Sequence, residues 1–378
     1  MRKGVIIYTL LIGFMLFQAC KEPYFPDVVE APNSFLVVDG MIKVGGDSSI
    51  IRLTRTRNLV DSNVLITEND AFVVLEGDRG GFYPFSRLGN GYYGTAPLQL
   101  NVAEKYSLKI LTKDNKEYRS AFVAVKPTPQ IDSVSWVRDT SITVRVSTHD
   151  PLGNSRFYRW EFEETWEYNS FYESILGFDY GTNLPYYLDP KDYLNRCWST
   201  EKSSTILLAN TNNQVDDIVE NLPITTIVQG SDKASVRYSI LVKQYALTKE
   251  AFEYWQLLRK NTNELGSIFG NQPAELISNI KSINNPDEPV VGFVSISSVQ
   301  QKRLFIRRGE LSGWYPDYSL QQLCEPKIVG LDSLSYYLQR NRNLMQAYNI
   351  TGGGTALADK RCIDCRIKGG ITKMPSFW

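Results

Sequence analysis

The chain has 378 residues, with 41 Lys and Arg against 41 Asp and Glu, five cysteines and one histidine; it lacks the basic excess that a nucleic-acid surface requires. At 43% hydrophobic and 12% aromatic residues it can bury a large core, which excludes a disordered chain, and its length suggests two or three domains. A single histidine would have to serve every Ser/His/Asp, Cys/His or multi-histidine metal site at once, so no catalytic residue, metal site or cofactor is expected.

Arg2 and Lys3 precede an uncharged apolar run from Val5 to Phe17, then Gln18, Ala19 and Cys20. This is the layout of a secretory signal peptide over residues 1–19, and the run is shorter than the ~20 residues of a spanning helix. Ala19-Cys20 resembles the lipobox of bacterial lipoproteins, although Phe17 and Gln18 depart from its usual Leu and Ala/Ser. Cys20 is therefore expected to carry lipid; the alternative is an ordinary cleavage site beside a stray cysteine. Removing residues 1–19 takes away two bases and leaves 359 residues with 39 basic against 41 acidic side chains, a formal charge of −2. Residues 20–33 contain Pro23, Pro26 and Pro32 and read as an extended tether. Lys21-Glu22 after the cysteine resembles the surface-export signal of Bacteroidota lipoproteins, which implies a lipid anchor in the outer membrane and a chain facing the cell exterior.

From Phe35 to Val125 short alternating segments are separated by turn residues. Leu36–Val38 and Ile50–Leu53 around Gly45-Gly46-Asp47 read as a hairpin, and about seven strands without helical period predict an immunoglobulin-like β-sandwich over 34–126. Lys126-Pro127-Thr128-Pro129 reads as a short stiff linker. A second, larger β-rich domain is expected over 130–378. Phe157 to Tyr168 alternates as one of its strands, residues 170–200 read as an insertion, and two further long strands are expected over 237–247 and 290–307. Thr248 is placed to cap a helix near 249–260 that carries Phe252, Trp255 and Leu258 on one stripe. A second helix is expected over 333–348, stopped by Gly352-Gly353-Gly354.

Beyond Cys20, the cysteines are Cys197, Cys324, Cys362 and Cys365. In an exported protein they are disulfide candidates with three possible connectivities. Linking one of the closely spaced pair to Cys197 and the other to Cys324 would staple the C-terminal tail to the second domain; a local redox-active Cys362–Cys365 bond is the competing reading. His149 falls in Thr148-His149-Asp150-Pro151, a predicted turn, where exposure rather than acid/base chemistry is expected. Glu161, Glu163, Glu164 and Glu167 raise the paired carboxylates of glycoside hydrolysis, but a solvated strand face explains them. Neither Gly352–Thr355 nor Asn284–Glu288 has the spacing of a phosphate or calcium loop.

The main compositional anomaly is aromatic, with twelve rings in the 39 residues from Trp160 to Trp198. Trp166, Tyr168, Phe171, Tyr172, Tyr180, Tyr186 and Tyr187 are the candidate ligand or partner surface, because such rings combine apolar area with polar edges. The segments Thr248–Trp255, Ile268-Phe269-Gly270, Pro273, Ser278-Asn279-Ile280, Asn285-Pro286, Val291–Ser298 and Cys362-Ile363-Asp364-Cys365-Arg366 through Phe377-Trp378, with the opening Phe35–Gly40, resemble the Bacteroidota lipoprotein family called domain of unknown function 4249. The resemblance implies an outer-membrane lipoprotein that is a non-enzymatic accessory or ligand-capturing partner of a TonB-dependent transporter, and it brings no catalytic residue with it. Phe293 stands where that family often has Tyr. The rival expectations are an envelope hydrolase acting on polysaccharide or peptide, and a structural or adhesive surface protein.

Overall fold

The computed structural model describes residues 34–57, 65–264, 276–314 and 323–378. The expected signal peptide, Cys20 and the expected tether lie outside them. Among the described residues the fold is mainly β, with strands in four sheets and α-helices at Lys249–Glu264 and Leu331–Arg340.

The N-terminal unit is a β-sandwich whose first hairpin is as expected: Leu36–Val44 pairs antiparallel with Ser49–Arg55. Leu36, Val38, Ile51 and Leu53 point inward by strand alternation and share one core with Val73, Leu75, Leu108 and Ile110 of the facing layer. The strand Phe82–Gly89 joins the layers. Its first half pairs with Phe72–Gly77 and its second half with Tyr92–Thr95, while Phe85 stays in the core.

The boundary near residue 126 differs from expectation. Residues far along the chain return to this unit: Ile280–Ser282 pairs with Glu117–Ser120, and Val291–Gly292 adds in parallel beside Leu36–Val44. Ile280, Val290, Val294 and Ile296 fill the sandwich core, so the expected second domain is not contiguous over 130–378. Parallel addition of a distant strand leaves no local signal, because no hairpin turn connects it to its partner. Gly292 permits that addition. Its φ is +134°, and a Cβ there would sit 2.2 Å from the Val38 carbonyl oxygen.

The second unit is built on Phe157–Asn169, which pairs with Arg237–Ala246 on one side and with Arg196–Lys202 and Leu207–Asn210 on the other. Tyr158 and Trp160 are fully buried against Ile142, Val144 and Val146 of a three-stranded sheet formed by Ile131–Arg138, Ile142–His149 and Ile218–Ile227. The buried Trp160 indole donates to Gln244 Oε1 at 2.9 Å, and Gln244 Nε2 donates to the Pro129 carbonyl at 2.8 Å, so these two polar side chains are paired inside the core.

One strand belongs to both units. Ile296–Arg307 begins parallel to Leu36–Val44 and continues antiparallel to Arg237–Ala246. Within the expected short stiff linker, Thr128 seals the junction: its backbone N–H donates to Ser298 Oγ at 2.8 Å, and its Oγ1 accepts from the Ala246 N–H at 2.9 Å.

Helix Lys249–Glu264 begins where Thr248 Oγ1 caps the Ala251 N–H at 3.2 Å, and it buries Ala251, Phe252 and Tyr254. The other expected helix is shorter than 333–348. Leu331–Arg340 buries Leu334 and Leu338 and closes with the Asn341 N–H on the Tyr337 carbonyl. Leu344–Ile350 is instead a strand, paired with Gly354–Asp359. The glycines therefore turn a hairpin, with Gly352 and Gly353 at φ +108° and +102°, and do not stop a helix.

Candidate functional site

The aromatic insertion folds as a hairpin, Leu176–Asp179 with Leu184–Tyr187. Asp179 organises its turn by accepting from the Gly181 N–H at 2.8 Å and from Thr182 Oγ1 at 3.0 Å. Those bonds hold the Asp179 carboxyl below its usual range, the Gly181 N–H contributing most. Gly177 lies directly across from Tyr186. The Tyr186 ring occupies the space a Cβ would need, with Cζ at 2.4 Å from that position, so the ring lies on the hairpin backbone.

Opposite the hairpin stands a cysteine-stapled C-terminal unit made of Lys327–Gly330, Leu344–Ile350, Gly354–Asp359 and helix Leu331–Arg340. Its last turns are two short 3₁₀ helices, Lys360–Cys362 and Cys365–Lys368, each capped by an aspartate: Asp359 accepts from the Arg361 N–H at 2.9 Å and Asp364 from the Arg366 N–H at 3.0 Å. Disulfides Cys324–Cys362 and Cys197–Cys365 fasten these turns. Of the connectivities left open by the sequence, this is one that staples the tail, since Cys197 lies in the strand Arg196–Lys202.

Between hairpin and stapled unit lies a half-open cleft of about 260 Å³. Phe178, Tyr180 and Tyr186 form its aromatic side, Leu338, Leu344 and Met345 its aliphatic side, and Gln346, Lys360, Asp364 and Arg366 add polar groups. The Tyr180 ring meets Phe178 edge-on at 5.0 Å and has the Arg342 guanidinium 3.8 Å over its centre. Burial alone would raise the Asp364 carboxyl, but the two-point pairing with Arg366, at 2.9 and 2.8 Å, holds it below the usual range. Gln346 is only 3% exposed; its Nε2 donates to Thr355 Oγ1 at 3.2 Å, while its Oε1 is buried without a protein partner. An unmet buried acceptor costs about 1–3 kcal/mol, so such a group at a cleft wall is notable.

The seven aromatic residues singled out from the sequence divide. Tyr180 and Tyr186 line the cleft, and Tyr187, 71% exposed, follows Tyr186 in the strand Leu184–Tyr187 but is not part of the lining. Phe171 is exposed, does not line the cleft, and meets Tyr172 edge-on at 4.8 Å. Tyr172 is half-buried and donates to the Cys324 carbonyl at 2.7 Å. Tyr168 is not a surface residue: it is 2% exposed, donates to the Cys365 carbonyl at 2.8 Å and lies beneath Gly370, where a Cβ would strike its hydroxyl at 2.3 Å. Trp166 is half-buried, with the Lys233 ammonium 4.9 Å over its ring. Sequence reading missed Phe178, Gln346, Lys360, Asp364 and Arg366; the repeated Asp-x-Arg of 359–361 and 364–366 was the available signal for the last pair.

His149 lies at the surface with Nδ1 2.8 Å from Asp132 Oδ2, and that hydrogen bond raises its pKa above the ordinary histidine value. The glutamates do not converge on open space. Glu161 accepts from Tyr245 at 3.0 Å, Glu164 from Tyr238 and Lys233 at 2.7 Å each, and Glu167 from Arg196 at 2.5 Å and Trp378 at 2.9 Å. Among the described residues no group of three His, Cys, Asp or Glu side chains is placed to hold a metal, and no helix is long and apolar enough to cross a membrane.

Residues 21–303 match the family model described as Domain of unknown function (DUF4249), and the chain belongs to that family. The match ends before the stapled C-terminal unit. No curated protein matches the chain.

Proposed function

We propose that this member of the DUF4249 family is a lipid-anchored outer-membrane protein, facing the exterior, that captures a ligand and works as a non-enzymatic accessory of a TonB-dependent transporter. The observation that carries capture is the cleft between the aromatic hairpin and the stapled unit, where fixed rings face a few polar groups, the usual make-up of a small-ligand site. Anchoring rests on the signal layout ending at Cys20, and partnership on the likeness to Bacteroidota lipoproteins. The disulfides fit an exported chain, since such bonds persist in oxidising compartments.

Affinity purification of the lipidated protein from mild detergent tests the partnership. A TonB-dependent transporter is expected to copurify, and its absence from repeated preparations refutes the accessory role. Replacing Cys20 by Ser should move the chain from the membrane to the soluble fraction, and protease shaving of intact cells should cleave the wild-type chain if it faces outward. The hydrolase reading draws no support from Glu161, Glu164 and Glu167, which are engaged by Tyr245, by Tyr238 and Lys233, and by Arg196 and Trp378.

A further inference from the structure

We propose that the cleft takes one ring of a neutral oligosaccharide, an inference that rests on reading the cleft as the capture site and names its ligand class. Three features lead to it. The first is size: about 260 Å³ is just below the ~300–1,000 Å³ of common small-ligand sites, which suits a single ring with the rest of the chain in solvent at the open side.

The second is the way Tyr186 is held. Its ring is backed by the bare Gly177 backbone and remains 50% exposed, so it presents a flat surface whose orientation is set before a ligand arrives. The negative face of an aromatic ring attracts the weakly positive C–H edge of a partner. The face of a pyranose, with several axial C–H bonds on one side, meets that requirement without charge.

The third is the mixture of polar groups. Lys360 and Arg366 are donors, and the Asp364 carboxylate is an acceptor. Asp364 and Arg366 pair with each other at 2.9 and 2.8 Å and together bring no net charge to the cleft, while Lys360 opposes a cationic ligand. A lipid chain would cover these groups and satisfy none of them. Hydroxyl groups both donate and accept, and a neutral ring bearing several of them complements both kinds of group at once.

The test uses the full lipidated chain in a detergent without a sugar headgroup, with neutral di- to hexasaccharides of glucose, mannose, galactose and N-acetylglucosamine as probes, read by saturation-transfer NMR and calorimetry. At least one probe is expected to bind. Tyr186→Ala should weaken it roughly tenfold or more, as loss of a stacking surface worth about 1.4 kcal/mol implies. Gly177→Ala should weaken it similarly while keeping every aromatic side chain, because it displaces the Tyr186 ring. Tyr187→Ala should leave affinity within about twofold, and far-UV circular dichroism should be unchanged for Tyr186→Ala, whose ring is on the surface. The proposal is overturned if no saccharide binds by about 10 mM, if binding ignores Tyr186→Ala and Gly177→Ala, or if a panel of neutral tripeptides occupies the cleft and the sugars do not. Copurification of a transporter without sugar binding would remove the ligand class and leave the accessory role. Sugar binding without a transporter would do the reverse.

Discussion

The two disulfides close loops of very different size, and the structure turns that into a measurable order of importance. Cys197 and Cys365 are 168 residues apart, Cys324 and Cys362 only 38. In the chain-entropy account a crosslink restricts the unfolded ensemble by an amount that grows as 1.5RT ln n, which gives about 5 and about 4 kcal/mol, a difference of about 1.3. Because the short loop is nested within the long one, each bridge shortens the effective loop of the other, yet the ratio of loop sizes, and so the difference, is nearly preserved. Paired alanine substitutions suit the sites, since Cys197, Cys365 and Cys362 are at most 2% exposed and Cys324 is 5% exposed. The Cys197→Ala, Cys365→Ala chain should therefore lose about 2–5 kcal/mol, and more than the Cys324→Ala, Cys362→Ala chain by about 1 kcal/mol. Part of the tail should stay docked, because Trp198 and Ile371 exchange backbone hydrogen bonds at 2.8 and 2.9 Å and Tyr168 still reaches the Cys365 carbonyl. Urea unfolding followed by hydrogen exchange over residues 354–378 measures both quantities. Equal losses for the two pairs, or a larger loss for the short loop, would refute the loop-entropy reasoning.

Gly292→Ala should destabilise the chain by more than about 2 kcal/mol in thermal or urea melts, because it combines a forbidden φ with a clash against Val38. Gly309→Ala, with nothing within 4 Å of the added carbon, should stay within about 0.5 kcal/mol. Glu164→Ala leaves the buried Tyr238 hydroxyl without its acceptor, while Lys233 keeps Glu201 at 2.9 Å, and should lower unfolding free energy by about 1–3 kcal/mol. Because His149 is the only histidine, its proton resonance can be followed without assignment. Its pKa should lie above 6.5, with Asp132→Asn returning it toward that value. A histidine raised in the folded state adds stability that is complete below the unfolded pKa of about 6.5 and disappears as pH rises through the folded value.

Local pattern was legible wherever local chemistry decides structure. The first hairpin follows from Leu36 to Val38, Ile50 to Leu53 and the intervening glycines. The helix after Thr248 follows from its cap and stripe, and the β class from repeated alternation. The helix expected over 333–348 went wrong after Arg340 for a physical reason. Leu344, Met345 and Ala347 satisfy a helical period on paper, but in the fold they serve a strand that completes the sheet with Gly354–Asp359, and tertiary pairing overrides propensity.

The cleft was half legible. A run of tyrosines marks a surface, and the hairpin brings Tyr180 and Tyr186 to the cleft while Tyr187 stays outside its lining. Tyr168 carries the same side chain in the same run and is buried, because only the folded tail decides which face of its strand is covered. Gln346 and Lys360 had no aromatic or motif to announce them, and only the repeated Asp-x-Arg marked Arg366. They reach the cleft because two disulfides draw the C-terminal turns against a hairpin about 180 residues earlier in the chain.

The amino-acid sequence by itself determined the β class and the family. Composition, periodicity and turn chemistry act over a few residues, and the family pattern is linear. Tertiary structure alone decided the cysteine pairing, the return of residues 280–296 to the N-terminal sandwich and the meeting of the aromatic hairpin with the stapled tail. Each joins segments far apart in the chain, through parallel strand pairing, buried packing and crosslinks whose partners no local spacing encodes.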